Sequence, residues 1–110
     1  MKEFVKNIPM AEAIALSSMV TVETGKVISR TFVQRPDLSV TLFAFAAGEG
    51  ISAHSSSGDA MVYVIEGEAK ITIDSKSTMV KAGEVIVMPA NVPHAVDAEK
   101  DFKMLLTVVM

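Results

Sequence analysis

Cysteine and tryptophan are absent from the 110 residues, and histidine occurs only twice. Without cysteine there is no disulfide, no thiolate metal ligand and no thiol nucleophile. Lys and Arg together number 10 against 13 Asp and Glu, so no broad cationic surface is available to neutralise a phosphate backbone. Nucleic acid is therefore not an expected partner. No long hydrophobic run is present either: the most apolar early stretch, Ala13 to Val22, is interrupted by Ser17, Ser18 and Thr21 and is far too short to span a bilayer. It lacks the layout of a cleavable signal, so a cytoplasmic location without a membrane partner is expected. Low-complexity tracts, linkers and fixed-period repeats are also missing. What is plentiful is apolar residues, 50% of the chain, enough for one domain to build its core without staples.

Within that single domain the sequence divides into residues 1–26, an N-terminal helix and edge strand, and residues 27–110, a β sandwich or barrel. Asn7-Ile8-Pro9 opens a segment rich in Ala, Met, Glu and Leu, in which Asn7 is placed to cap a first turn and Pro9 needs no amide hydrogen there. A short helix over Pro9 to Ser17 is predicted. Its apolar stripe, Met10 and Ile14, is narrow, which suits packing on the edge of something larger. From Val20 onward β-branched runs recur between turn signals: Val20-Thr21-Val22, Val27 to Gln34, Leu38 to Ala47, Ala60 to Glu66, Ala69 to Asp74, Thr78 to Val80, Glu84 to Met88, His94 to Asp97, and Phe102 to Val109. Short strands at this spacing predict a sandwich or barrel. Leu38 to Phe45 and Met104 to Val109 are apolar on both faces, so a second subunit or the helix must cover their outer side. A homodimer is expected.

The two histidines each follow a turn: His54 comes after Gly48-Glu49-Gly50-Ile51-Ser52-Ala53, and His94 after Met88-Pro89-Ala90-Asn91-Val92-Pro93. At these residues the chain resembles the cupin superfamily. That family's first motif reads G, five residues, H-x-H, three or four residues, E, six residues, G. Its second reads G, five residues, P-x-G, two residues, H, three residues, N. Gly48, His54 and Gly67 fall at the first spacing, and Gly83, Pro89 and His94 at the second, with Val62 to Ala69 and Ala82 to Pro89 also similar to small single-domain members. The resemblance runs from about Val27 to Val109. It implies an all-β, double-stranded β-helix (jelly-roll) cupin barrel, here with a short N-terminal helix.

The departures bear on function. Where the family has its second histidine this chain has Ser56, and where it has the glutamate it has Ala60; Asn91 and Ala98 replace the second motif's Gly and Asn. Of the three His and one Glu that the resemblance implies as ligands, only His54 and His94 remain as candidate metal ligands. A serine hydroxyl is a poor ligand and a methyl group is none, so any divalent metal would be held weakly, with water completing its sphere. Asp59 is one residue from the ligand position, and a strand points neighbours to opposite faces. Ser56 as a nucleophile with His54 as base lacks an acidic third member. The eight methionines suit core filling better than soft-metal binding.

Three functions remain on these residues. The first is a non-catalytic small-molecule binding or sensing cupin, its ligand pocket built from His54, Ser56, Ala60, Val62 and His94, with apolar walls drawn from Phe43 or Phe45, Val64 and Met104. The alternative is a metal-dependent cupin enzyme of dioxygenase or isomerase type with a reduced ligand set. The third is a structural or regulatory homodimer with a vestigial cavity. The first is favoured, because the lost ligands are those that would close a coordination sphere.

Overall fold

The computed structural model describes residues 4–110; the first three residues of the expected 1–26 segment lie outside that range. Among the described residues there are nine strands: β1 (Val27–Arg35), β2 (Leu38–Phe45), β3 (Gly50–His54), β4 (Asp59–Glu66), β5 (Glu68–Ile73), β6 (Lys76–Lys81), β7 (Val85–Met88), β8 (His94–Asp97) and β9 (Phe102–Val109). They form a five-stranded sheet, order β1-β2-β9-β4-β7, and a four-stranded sheet, order β3-β8-β5-β6, and every ladder is antiparallel. No ladder joins β7 to β6 or β1 to β3 among the described residues, so the expected barrel is an open two-sheet sandwich with seams at both sides.

The inner faces meet in one core. Period-2 alternation on β4 turns Ala60, Val62 and Val64 inward and Met61 and Tyr63 outward, and β5 does the same with Ala69 and Ile71. Phe45 of β2 stacks on its cross-strand partner Phe102 of β9 with ring centroids 4.7 Å apart and planes 6° from parallel, placing the two largest buried side chains side by side in the core. The corner at which the chain crosses from β4 in one sheet to β5 in the other needs Gly67, which has φ 77° and whose missing Cβ would lie 2.5 Å from the Asp101 carbonyl oxygen.

The N-terminal segment departs from expectation. In place of a helix over Pro9 to Ser17 there is one 3-10 turn, Leu16–Met19, and Val20-Thr21-Val22 pairs with no strand. Asn7 does not cap a helix: its backbone is left-handed, φ 63°, and its side-chain amide donates to the Thr31 carbonyl at 2.7 Å. Ala11 is also left-handed, φ 58°, which no continuous helix permits. A segment this short has little helical stability of its own, so tertiary contacts dictate its path. It runs as a strap over the outer face of β1, β2 and β9, where Ile8, Leu16, Met19, Val20 and Val22 pack with Phe32, Leu42 and Ala44. The Lys6 amide donates to Phe32 O (2.8 Å), Arg30 Nη1 to Asn7 O (3.0 Å) and Lys103 Nζ to Ser17 O (2.7 Å), fixing the strap at both ends. Thus the outer faces of β2 and β9 are covered largely by the chain itself.

Leu42 and Ala44 have no accessible surface under the strap. Leu42→Ala is therefore expected to cost about 2–5 kcal/mol, the range for deleting a fully buried leucine, while Ser77→Ala on the exposed surface of β6 costs less than about 0.5 kcal/mol. Urea unfolding followed by circular dichroism measures both, and a Leu42→Ala midpoint equal to the parent's would show that the strap does not seal this face.

Candidate functional site

His54 ends β3 and His94 begins β8, and the β3–β8 ladder pairs them directly across the strands. The rings meet edge to face, centroids 4.5 Å apart and planes at 71°. Residues forty positions apart in sequence thus become cross-strand neighbours because β3 lies at the edge of the four-stranded sheet beside β8. β3 itself was not among the expected strands, since Ile51 is its one β-branched residue and Gly50 opens it. An irregularity between Ile51 and His54 shifts the register and sets the ring against its partner.

The environments of the two rings differ. His54 is exposed, and its Nδ1 lies 3.1 Å from the Ser52 carbonyl oxygen. A carbonyl can only accept, so Nδ1 carries the proton, and in the neutral ring Nε2 is the acceptor. His94 is 4% exposed, and its Nδ1 is buried without a protein hydrogen-bond partner. Burial, and then the neighbouring His54, hold the His94 pKa below the usual histidine value, while the Val92 backbone opposes the shift without completing a hydrogen bond.

The loop before His94 is held from three sides. Asp59 Oδ1 accepts the Ala90 N–H at 2.8 Å, the Asn91 N–H donates to Ser56 O at 2.7 Å, and the Asp74 N–H donates to Pro93 O at 2.7 Å. Asn91 adopts φ 65°, so it fills the place of the family's glycine with the non-glycine residue that best tolerates the left-handed region. Ser56 curls onto its own loop: its hydroxyl donates to Gly58 O and accepts from Gly58 N, both at 3.1 Å. Ala60 and Val62 lie on the inner face of β4 within the closed core, where Phe45, Val62 and Val64 have no accessible surface. A water-sized probe reaches none of these three, so the sheets meet without a void beside them. The structure therefore brings His54 and His94 together, links Ser56 to the same loop through its backbone, and places Val62 and the expected apolar walls in packed core.

A match to the cupin domain family covers residues 41–110. The chain belongs to the cupin superfamily. A conserved Streptococcus pyogenes protein of unknown function is 45% identical, with a TM-score of 0.96 over 98% of this chain and 95% of that one. A cupin superfamily protein from Desulfitobacterium hafniense is 30% identical, with a TM-score of 0.92 over 96% and 97%. An uncharacterized Streptomyces coelicolor protein is 35% identical over 63 residues, and the match spans 60% of that relative.

The metal that the cupin frame implies does not fit the donors present. Among the described residues no three His, Cys, Asp or Glu side chains cluster in a way that would hold an ion. The Ser56 hydroxyl is engaged by Gly58, the Ala60 methyl has no lone pair, and Asp59 lies on the opposite face of β4 from Ala60 with its Oδ1 accepting the Ala90 amide. Two imidazoles alone leave the sphere to water.

Because the folded state disfavours protonated His94, the unfolded chain binds more protons below the unperturbed histidine pKa. Stability is expected to be full above about pH 6.5 and to fall as pH drops through the lowered folded value, by at most about 1.4 kcal/mol per pH unit. Urea midpoints between about pH 7.5 and 5, taken with chelator present, measure the slope. His94→Gln should flatten it, and an unchanged slope would assign the proton uptake elsewhere.

Grafting tests the frame. Ser56→His with Ala60→Glu is expected to turn a weak or absent metal site into one that binds Zn or Mn stoichiometrically, because both backbone positions already stand at the motif spacing. The buried Glu will lower apo stability by several kcal/mol, on the order of the cost of an unpaired interior charge. Titration calorimetry on parent and double variant decides it: a folded variant that binds no more metal than the parent would show that these positions do not converge.

Proposed function

We propose that this cupin binds or senses a small organic molecule at the His54–His94 end of the sandwich and carries out no chemistry on it. One observation carries this reading: a buried imidazole nitrogen without a protein partner, on a ring packed edge to face against a second, exposed imidazole. An unsatisfied buried polar atom costs about 1–3 kcal/mol, and a ligand that hydrogen-bonds it recovers that cost on binding. His54 then acts as the accessible acceptor through Nε2, and His94 as the recessed anchor. Ser56 and its loop form one wall, and the packed core beneath, which holds Ala60 and Val62, keeps the ligand shallow.

Metal-dependent catalysis loses support at the same residues, because the donors that would complete a coordination sphere are a methyl group and two side chains already bonded elsewhere.

The test is a melting-shift screen of small organic molecules against the parent and His54→Ala, both treated with chelator. His54 is exposed, so His54→Ala should keep its fold within about 1 kcal/mol. A ligand held at about 100 times its Kd stabilises by about 2.7 kcal/mol, and this shift should vanish in His54→Ala. A hit that stabilises both proteins equally would place binding elsewhere, and binding that requires added metal would return the protein to the enzyme reading.

A further inference from the structure

An open-sided cavity of about 500 Å³ lies where the strap begins, between its first described residues and the β1–β2 hairpin. Its size falls within the range of small-molecule sites, about 300–1,000 Å³. A bulge in β1 builds the floor: the β1–β2 register slips between Thr31 and Val33, and the extra residue, Phe32, is 5% exposed and packs into the cluster under the strap. The Phe32 carbonyl accepts the Lys6 N–H at 2.8 Å, which holds the strap beside the strand. Asn7 secures the same corner, its side-chain amide on the Thr31 carbonyl and its own carbonyl accepting from Arg30. On the opposite side Pro36 and Asp37 turn the hairpin, and the Asp37 carbonyl accepts the Met110 N–H at 3.0 Å, so this wall is tied down as well.

The lining joins two cations to carbon surface. Lys6 and Arg35 share it with Phe4, Phe32 and Pro36. The Arg35 guanidinium lies 5.2 Å from the centroid of the Phe4 ring, a cation–π contact that steadies it. The ion pairs among the described residues engage Lys26 and Lys103, so neither Lys6 nor Arg35 has a carboxylate partner among them. Asp37 brings the one negative charge to the lining, which leaves a local positive excess on a chain whose net charge is -3. Phe4 keeps 67% of its surface in solvent. We infer that this cavity binds a small carboxylate with an apolar body. The planar guanidinium takes a carboxylate in two-pronged geometry, Lys6 adds charge, and the carbon body covers the Phe4 ring and the Phe32 floor. A neutral apolar molecule would leave both cations without a partner, and a bare inorganic anion would leave the ring uncovered. The cavity lies on the strap side of the five-stranded sheet, whereas His54 and His94 belong to the other sheet, so this is a second site that does not depend on the first.

Octanoate is the probe, titrated into the millimolar range below its micelle concentration and followed by amide chemical shifts. Saturable shifts are expected at Phe4, Lys6, Gln34, Arg35 and Asp37. Octanol, with the same body and no charge, and acetate, with the charge and no body, should each bind at least about tenfold more weakly. Arg35→Gln should lower octanoate affinity by about tenfold or more, on the order of one lost charge-assisted hydrogen bond, and Lys6→Gln should lower it as well. Both side chains are exposed, and the remaining amide shifts report whether each variant keeps its fold. Lys81→Gln, which removes an exposed lysine from the other sheet, should bind as the parent does. If Arg35→Gln misfolds, the comparison of octanoate with octanol on the parent still decides. The inference is overturned by octanoate that does not saturate, by shifts confined to the strands of His54 and His94, or by octanol binding as tightly as octanoate. Parent affinity in folded Arg35→Gln and Lys6→Gln overturns it too.

Discussion

A strand that is apolar on both faces has to be covered twice, and β2 with its neighbour β9 imposes that requirement on the whole molecule. Inward, Phe45 and Phe102 stack against each other in the core; outward, Leu42 and Ala44 are sealed by the strap. The second cover explains why an irregular N-terminal stretch is held by bonds from Lys6, Asn7, Arg30 and Lys103. Lys103 is mostly buried between Glu66, 3.2 Å away, and the Ser17 carbonyl, so its charge is paired where it joins strap to sheet. The strap reaches only the Ile65 end of β4, and Met61, Tyr63, Val85 and Val87 on the outer face beyond it stay exposed.

The site depends on the sandwich in a different way. Its two rings are brought together by strand pairing alone, while the loop that leads into His94 is clamped by Asp59, Ser56 and Asp74 through backbone groups. Asp59 stands beside the position where the cupin frame has its carboxylate, yet its charge is spent on an amide hydrogen. The frame has been kept while its coordinating chemistry has been replaced by loop anchoring and a desolvated imidazole. That difference separates scaffold from activity: the fold is shared widely, and what it does is written in a few side chains.

Much of the sandwich was legible because alternation and turn residues speak for themselves. Val62, Val64, Ala69 and Ile71 turned inward as period 2 requires, and Gly67, Gly83, Pro89 and His94, whose spacing carried the cupin resemblance, stand at the crossings between the two sheets. The count of nine strands was right with one member wrong. Val20-Thr21-Val22 carries a β-branched signal because Val20 and Val22, part of the strap, pack onto the sheet beneath, not because a neighbouring strand pairs with them. Gly50 to His54 is a strand although its residues give little sign, since its partner β8 supplies the ladder. The helix over Pro9 to Ser17 failed for the same reason in reverse: local propensity favoured it, and long-range contacts at Asn7 and Ser17 outweighed that preference. In the site, the histidine pairing followed from motif spacing, but the curl of Ser56 and the clamp at Asp59 are geometry that no residue type announces.

The position of β9 has a kinetic consequence. It is the last strand in chain order among the nine, yet it sits in the middle of the five-stranded sheet, between β2 and β4. Until it inserts, that sheet exists only as two separate strand pairs, β1–β2 and β4–β7, each with an apolar edge awaiting the same strand. Closing such distant pairings spends loop entropy before any contact returns it, so folding waits on a late, nonlocal step. During that wait the bare edge of β2 is an aggregation hazard, and the molecule is safest when β9 arrives quickly.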